Sequence, residues 1–304
     1  MTLGALTAAV RSLAPDARAR IERAGRTNLV VTGVTHDSRA AASGVVFVAI
    51  RGQRTDGAQF AAEAARRGAA AIVAETPEPP GLDVPWLRTP DARLAMAELA
   101  GQVYGQPSES LTVVGVTGTN GKTTTTYLLA AVFDAAGLPC GRIGTVTVRV
   151  GPNPSDERDA SHTTPESPEV QRLLREMADR GCKACAMEVS SHALVLQRVA
   201  GVRFAAGIFT NLTRDHLDFH GDMQRYFEAK RRLFDGLPEG APAIVNVDDP
   251  RGRELARSLP RVMTYGIDHP ADVRAEGVHA SLDGLTFEVE TPRGRIAIRS
   301  PLVG

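Results

Sequence analysis

The clearest chemical pattern in the chain is residues 111–126, LTVVGVTGTNGKTTTT. An apolar, β-branched run leads into a glycine-rich turn ending in Gly-Lys-Thr, and a helix-like apolar segment follows. In such a loop, backbone N–H groups and a helix N-terminus surround phosphate oxygens, lysine adds positive charge, and threonine offers a hydroxyl to Mg²⁺. The order predicts a nucleoside triphosphate site, although the first glycine, Gly118, stands three rather than five positions before Gly121.

A carboxylate follows at the end of a second apolar run, where Glu188 closes ACAME. A carboxylate at a strand end can hold Mg²⁺ or one of its waters. Taken alone, Glu188 reads better as a solvated strand end. Beside a phosphate-binding loop, the metal interpretation is favoured.

A third cluster, NLTRDHLDFH at residues 211–220, contains two Asp and two His within six positions. Such side chains could form a zinc hydrolase centre. However, a zinc hydrolase has no use for a Gly-Lys-Thr loop. The preferred interpretation is that one His, with an Asp, helps to bind Mg²⁺ and the transferred phosphoryl group, while the rest cap a short helix.

A lysine completes the candidates, in YFEAKRRLF at residues 226–234. This pattern is also what a surface lysine on a basic helix face would show. The residue types alone leave both interpretations of Lys230 open.

The elements that would position these residues alternate between strand and helix, which predicts an α/β fold with the ligand at the carboxyl edge of an open sheet. We expect an N-terminal substrate domain over residues 1–107 and a central nucleotide-binding domain over 108–304. The predicted central domain has a mostly parallel sheet flanked by helices, with antiparallel hairpins after residue 272. The first 25 residues read as a surface helix, and the polar stretch 151–160 is expected to be mobile.

The composition excludes several classes of function. The formal net charge is zero, which argues against nucleic acid as the main partner. No apolar run approaches the roughly 20 residues of a membrane span, and the N-terminus lacks the pattern of a signal peptide. Three cysteines, two of them in CKAC, fit a reducing cytosol better than a disulfide framework, and a zinc site would need a second pair.

Several longer motifs resemble one known family. TGTNGKTTT, MEVSSHAL and FTNLTRDHLDFHGDMQRYFEAKRRLF are similar to the central domain of the Mur ligases, and EVSSHAL, DHLDFHG and HTTP match the MurE-type branch. The resemblance runs from about residue 30 to the end. It implies an ATP-dependent ligase that adds a third amino acid, most commonly meso-2,6-diaminopimelate, to UDP-N-acetylmuramoyl-L-alanyl-D-glutamate in peptidoglycan synthesis. The implied intermediate is an acyl phosphate.

The resemblance also implies roles for individual residues. The implied catalytic residues are Lys122, His216 and Lys230, the lysine as a CO₂-derived carbamate. Magnesium would be held by Thr123, Glu188, His216 and the carbamate of Lys230. ATP would contact Gly118, Thr119, Asn120, Gly121, Lys122, Thr123 and Thr124. The UDP-substrate would contact Ser38, the loop of residues 52–57, Thr163, Thr164, Ser190 and Arg198.

Other functions stay open from the sequence alone. The alternatives are an L-lysine-adding enzyme, another Mur ligase, a folylpolyglutamate synthase relative, or a nucleotide-binding module without ligation. The family's amino-acid acceptor domain would follow residue 304. We therefore expect this stretch by itself not to ligate, and its sequence does not reveal the amino acid that is added.

Overall fold

A computed structural model describes residues 1–52 and 55–302. Two sheets organise the chain, and the first is a four-stranded parallel sheet with strand order β1-β2-β3-β4. Its strands are β1 Gly33–Thr35, β2 Val45–Ala49, β3 Ala71–Ala74 and β4 Trp86–Arg88. The accompanying helices are α1 Leu3–Ala9, α2 Ala17–Arg23, α3 Ala61–Arg66 and α4 Ala92–Val103.

The prediction of a single surface helix at the N-terminus is wrong. The segment forms two short helices, and the side chains of Leu3, Leu6 and Ile21 are fully buried. These apolar residues share a core with α4 and with β1 to β4. Their spacing places them on one face of each helix, which is the pattern of a helix that packs against a sheet.

The second sheet has eleven strands in the order β15-β14-β13-β12-β11-β10-β5-β9-β6-β7-β8. The strands from β13 to β6 in this order pair in parallel, and the two ends of the sheet are antiparallel. The strands are β5 Thr112–Thr117, β6 Cys140–Ile143, β7 Thr147–Arg149, β8 Glu157–Asp159, β9 Ala184–Glu188, β10 Ala206–Phe209, β11 Ala243–Asn246, β12 Val262–Gly266, β13 Val273–Ser281, β14 Gly284–Thr291 and β15 Gly294–Ser300. The helices are α5 Lys122–Ala135, α6 Ser167–Asp179, α7 Ser191–Val195, α8 Leu217–His220, α9 Met223–Asp235 and α10 Pro250–Ser258.

Strand β5 lies near the middle of this sheet, between β9 and β10. Its side chains alternate between two cores: Val113 packs with residues of α6 and α9, whereas Val114 and Val116 pack with residues of α5. A strand covered on both faces is continuously apolar, as this one is. Since β5, β9, β10 and β11 are parallel, the polar residues that follow them meet at one edge.

The predicted fold class, α/β with a mostly parallel central sheet and antiparallel hairpins, is confirmed. Pattern reading missed β4, β12, α7 and α10. The short helix expected within residues 211–220 corresponds to α8. The expectation for residues 151–160 omitted β8, which pairs with β7. The domain boundary at 107/108 falls between α4 and β5 and stays a prediction. Among the described residues, no helix is both long and apolar enough to cross a membrane.

Candidate active site

The glycine-rich loop occupies residues 118–121, between the end of β5 and the start of α5. Gly118 has φ +143°, and a Cβ at this position would lie 1.9 Å from Thr210 Oγ1. Only glycine fits so close to a neighbouring strand in this conformation. The loop therefore takes the tight course between strand and helix N-terminus that the sequence predicts.

The segment after β10 holds this loop in place by hydrogen bonds. Asn211 accepts two backbone hydrogen bonds, from the Thr119 amide to its carbonyl at 2.9 Å and from the Asn120 amide to Oδ1 at 3.0 Å. Thr210 Oγ1 donates to the Asn120 carbonyl at 2.6 Å. The loop is thus fixed by residues some ninety positions later in the chain, which sequence analysis did not single out for this role.

Two lysines meet at one carbonyl oxygen of the loop. Lys122 Nζ donates to the carbonyl oxygens of Gly118 at 3.0 Å and Thr119 at 2.8 Å. Lys230 Nζ, from the middle of α9, donates to the same Gly118 oxygen at 2.7 Å. Thr123 and Thr124 follow in the first turn of α5, half-buried and exposed respectively. The loop and the α9 lysine are therefore neighbours in the fold.

Lys230 is not a surface lysine, because its side chain is only 1% exposed. Its Nζ lies 4.5 Å from the centre of the Tyr226 ring. Burial and the nearby Lys122 charge lower the pKa of Lys230 from 10.5 to about 7, against the opposing influence of Asp215. Burial also lowers the pKa of Lys122, against Glu188 and Asp215. Both amines are therefore less firmly protonated than lysines in water.

His216 stands at the start of α8 as its N-cap residue. It adopts a left-handed backbone conformation with φ +52°, which is uncommon for a residue other than glycine. Asp215 holds it on two sides: Oδ1 accepts the His216 amide at 2.8 Å, and Oδ2 lies 3.4 Å from Nε2. The His216 ring centre is 6.3 Å from that of Tyr226, the residue that also contacts Lys230.

Two further histidines pack around His216. The His192 ring centre lies 4.8 Å from that of His216 and 5.4 Å from that of His220. His220 is buried, with Nε2 2.9 Å from Ser191 Oγ. Burial and neighbouring positive groups, His192 first, lower the pKa of His220 to about 4, and burial lowers the pKa of His192. His220 is consequently neutral at physiological pH.

Glu188 ends β9 with a buried side chain, 1% exposed. Thr145 binds both of its carboxylate oxygens, through the amide to Oε1 at 2.9 Å and through Oγ1 to Oε2 at 3.0 Å. Within residues 1–52 and 55–302, no Lys, Arg or His forms an ion pair with Glu188. A buried carboxylate without a paired cation is costly, and a hard divalent cation would relieve that cost.

The donor set fits Mg²⁺ better than a transition metal. The side chains nearest the loop offer the Glu188 carboxylate, the Thr123 hydroxyl and one imidazole, and Mg²⁺ is commonly held by one or two carboxylates plus substrate phosphates. Across the described residues, no group of three or more His, Cys, Asp or Glu is arranged to hold a metal ion by itself. The three cysteines are free and buried.

Four of the predicted substrate residues surround Glu188. Thr163 Oγ1 is 3.1 Å from Thr145 Oγ1, and the buried Thr164 hydroxyl donates to the Glu188 carbonyl at 2.8 Å. Ser190 Oγ caps α7 by accepting the Ala193 amide at 3.1 Å. Arg198 donates to the Thr164 carbonyl at 3.0 Å and pairs with Glu166 at 2.9 Å. The structure brings these residues together, and their substrate contacts stay a prediction.

Ser38 lies apart from this group, in the polar loop after β1. Its side chain is buried and Oγ donates to Glu63 at 2.9 Å. The adjacent residues Thr35 and His36 line a cleft of about 540 Å³ that also reaches His162 and Arg198. In the predicted loop of residues 52–57, positions 53 and 54 lie outside the described residues.

Sequence reasoning assigned no individual role to several residues that shape the site, namely Thr145, Tyr226, Asn211, His192 and His220. Their contacts join segments far apart in the chain, so no local spacing reveals them. His192 and His220 did stand in the quoted motifs, and their polarity within apolar surroundings was an available signal. Thr145 follows a glycine directly after a strand, which is too common a pattern to indicate a site.

Comparisons with known proteins agree with this geometry. Residues 116–304 match the family model described as Mur ligase middle domain, and residues 30–104 match the model described as Mur ligase family, catalytic domain. The UDP-N-acetylmuramoyl-L-alanyl-D-glutamate--2,6-diaminopimelate ligase of Geobacter metallireducens is 47% identical over 291 residues, covering 93% of this chain and 56% of that protein.

Two further relatives give the same result. The UDP-N-acetylmuramyl-tripeptide synthetase of Roseiflexus sp. is 45% identical over 293 residues, covering 91% of this chain and 57% of that protein. A solved structure of a UDP-N-acetylmuramoyl-L-alanyl-D-glutamate--2,6-diaminopimelate ligase superposes with a TM-score of 0.79 at 31% identity, over 90% of this chain and 56% of the other. The chain thus spans a little over half the length of these relatives, and it belongs to the Mur ligase family.

Proposed function

We propose that this chain supplies the nucleotide- and UDP-substrate-binding parts of an ATP-dependent amide ligase of the MurE type, acting in the cytoplasm. The reaction would join a third amino acid, most commonly meso-2,6-diaminopimelate, to UDP-N-acetylmuramoyl-L-alanyl-D-glutamate. The observation that carries the proposal is the Gly118 carbonyl, where Lys122 and Lys230 meet at 3.0 and 2.7 Å. The relatives named for this reaction support the choice of substrate.

The triphosphate of ATP would lie over residues 118–121, facing the N-terminus of α5. Lys122 would exchange the two loop carbonyls that it now contacts for phosphate oxygens. Thr123 and Glu188 would hold one Mg²⁺, and His216 with Lys230 a second. Bound Mg²⁺ supplies charge neutralisation on the phosphate oxygens. Charges fixed in advance around the transferring phosphoryl group lower the cost of moving it.

Lys230 would serve this site as a carbamate. Its uncharged Nζ forms a bond to the carbon of CO₂, one N–H proton leaves to solvent, and the product carries one negative charge. A pKa of about 7 leaves much of the amine uncharged near neutral pH. The change from cation to anion would also remove the repulsion between Lys230 and Lys122 and provide oxygen ligands suited to Mg²⁺.

The UDP-substrate would lie along the cleft between the Ser38 loop and the Glu188 region. Arg198 lines the cleft and also donates to the Thr164 carbonyl, next to Glu188. The D-glutamyl carboxylate at the inner end would attack the γ-phosphorus of ATP, giving an acyl phosphate and ADP. The amine of the incoming amino acid would then displace phosphate. Water must be excluded during this interval, because it would hydrolyse the acyl phosphate.

Trapping with hydroxylamine tests the activation step separately from the amino acid. The 304-residue chain is incubated with Mg²⁺-ATP, UDP-N-acetylmuramoyl-L-alanyl-D-glutamate and hydroxylamine, and the hydroxamate and ADP are quantified by mass spectrometry. We expect hydroxamate that requires both ATP and the UDP-substrate and that is lost in Lys122→Ala but kept in Lys183→Ala. Nucleotide binding or hydrolysis that ignores the UDP-substrate, with no hydroxamate, would instead indicate a nucleotide-binding module.

The same mixtures without hydroxylamine test the second step. Diaminopimelate, L-lysine and L-ornithine are offered side by side, and the UDP-tripeptide product is sought by mass. The chain spans 56% of the length of the Geobacter metallireducens relative, and we expect it to form no UDP-tripeptide with any of the three amino acids. UDP-tripeptide formed by the 304-residue chain would refute the expectation that this stretch alone does not ligate.

A further inference from the structure

We infer that Thr145 is a positioning residue that fixes the Glu188 carboxylate as a metal ligand and couples it, through its hydroxyl group, to Thr163, which follows the cleft residue His162. The inference rests on the proposed function, because it assumes that Glu188 receives Mg²⁺ with the bound nucleotide. It concerns the turn at residues 144–146, between β6 and β7.

Both oxygens of Glu188 are held from the same residue. The Thr145 amide donates to Oε1 at 2.9 Å and its hydroxyl donates to Oε2 at 3.0 Å. Two donors from one residue fix the plane of the carboxylate as well as its position. Each oxygen keeps lone pairs free for a cation, because a carboxylate accepts up to about four hydrogen bonds or metal contacts.

The preceding residue makes this approach possible. A Cβ on Gly144 would lie 2.4 Å from Glu188 Oε1, so a larger residue would push the carboxylate away from the turn. The turn is thus shaped around the Glu188 side chain, and the carboxylate does not rest there by chance.

The Thr145 hydroxyl faces two oxygens at once. Its Oγ1 donates to Glu188 Oε2 at 3.0 Å and lies in donating geometry to Thr163 Oγ1 at 3.1 Å. An ionised carboxylate only accepts, so Glu188 and Thr163 share the single Thr145 hydroxyl proton. A substrate group that contacts Thr163 is therefore separated from the Glu188 carboxylate by one hydroxyl group.

The turn is braced against the phosphate-loop helix. Arg142, on β6, stacks on the ring of Tyr127 from α5, with Cζ 3.4 Å from the ring centre. Its Nη2 donates to Thr147 Oγ1 at 2.7 Å and pairs with Glu157, on β7 and β8 respectively. Residues 144–146 thus lie between two strands tied to the helix that begins at Lys122. These contacts restrict the movement of the turn, which a turn that positions a metal-binding carboxylate requires.

Metal affinity in the nucleotide complex tests the inference with a readout independent of catalysis. Mn²⁺ replaces Mg²⁺ as the probe, and its binding to the chain with a non-hydrolysable ATP analogue is followed by electron paramagnetic resonance. Supporting residues behind metal ligands typically contribute 10- to 100-fold in affinity. We expect a loss of about that size in Thr145→Val, which removes the hydroxyl but keeps the branched shape.

Two variants complete the design. Thr145→Ser keeps the hydroxyl and should bind Mn²⁺ within about twofold of the unaltered chain; a tenfold loss there would overturn the inference even if Thr145→Val failed to fold. Thr112→Val is the matched control, because it makes the same chemical change at the start of β5, at the end of that strand away from the phosphate loop. It should not change Mn²⁺ affinity.

The outcomes separate the two proposals. Unchanged Mn²⁺ affinity in a folded Thr145→Val would overturn the inference alone. If the unaltered chain bound no Mn²⁺–nucleotide complex, the proposed function would fail and the inference with it. A tenfold or greater loss in Thr145→Val, restored in Thr145→Ser, would support both.

Discussion

Replacing Lys230 with Met should make the fold more stable near neutral pH, although it removes a residue that we place in the active site. The chain buries this amine among apolar groups beside Lys122, and its pKa falls from 10.5 to about 7. The difference between these two pKa values, at 1.36 kcal/mol for each pKa unit, corresponds to roughly 5 kcal/mol of lost stability. Methionine has a similar length and no charge, so it fills the same space without that loss.

The net gain will be smaller than this figure. The variant loses the hydrogen bond from Lys230 to the Gly118 carbonyl, which is worth about 1 kcal/mol, although Lys122 still donates to that oxygen. We therefore expect Lys230→Met to raise the free energy of unfolding by about 1 to 4 kcal/mol at pH 7. Urea denaturation in CO₂-free buffer without nucleotide measures this quantity directly.

The pH dependence gives the sharper test. Between pH 7 and 10.5 the unfolded chain binds more protons at Lys230 than the folded chain does, so the stability of the unaltered protein rises with pH in this window. Below pH 7, Lys230 is protonated in both the folded and the unfolded chain, and the full free-energy cost of burying its charge remains. The advantage of Lys230→Met should thus be largest at pH 6 to 7 and fade towards pH 10.

The exposed Lys183 supplies the matched control, since Lys183→Met makes the same change on the surface. A Lys230→Met variant that is less stable at pH 7, or whose advantage is constant from pH 6 to 10, would refute the argument from burial. Such a result would mean that Lys230 is accommodated as a cation at little cost.

Three other predictions address the site. With ¹³C-labelled CO₂, a carbamate signal should appear in NMR spectra of the unaltered chain and be absent in Lys230→Met; an identical signal in both would exclude Lys230 as its source. Gly118→Ala should abolish nucleotide binding measured by calorimetry, because its Cβ would lie 1.9 Å from Thr210 Oγ1, and normal affinity would contradict the loop geometry. The pKa of His220 is about 4 in the folded chain and 6.5 in the unfolded chain, so the free energy of unfolding should fall as the pH drops from 6.5 to 4. In acid denaturation, His220→Gln should reduce this dependence of stability on pH. An unchanged dependence would mean that other groups cause it.

The sequence predicts the parts of this site that are local in the chain. Strand, loop and helix follow one another around Gly118, so their order alone indicates phosphate binding. Asp91 and Asp222 each stand directly before a helix and accept the backbone amide three residues on, which is the usual local pattern of an N-cap. Glu188 ends a buried strand as its pattern indicates.

The remaining parts depend on how distant segments pair. Lys230 lies on a helix with many charged residues, and only the packing of α9 against the loop shows that this lysine is buried. Thr145 and Glu188 are 43 positions apart, and they meet because β6 and β9 are parallel neighbours. The N-terminal segment was misread because each of its helices has only seven residues, which is too short for a clear apolar periodicity. No single-sequence pattern reports how distant elements pack or pair, which decides the positions of Lys230 and Thr145.

The pinning of the loop by Asn211 also bears on how the protein is made. Asn120 and its partner Asn211 are 91 positions apart, and both sheet neighbours of β5 come after it in the chain. At ribosomal speeds of about 5 to 20 residues per second, several seconds separate synthesis of the loop from synthesis of its anchor. A nascent chain stalled before residue 210 should therefore contain the complete Gly-Lys-Thr motif and yet not bind a nucleotide, because the residues that hold the loop in place are still missing.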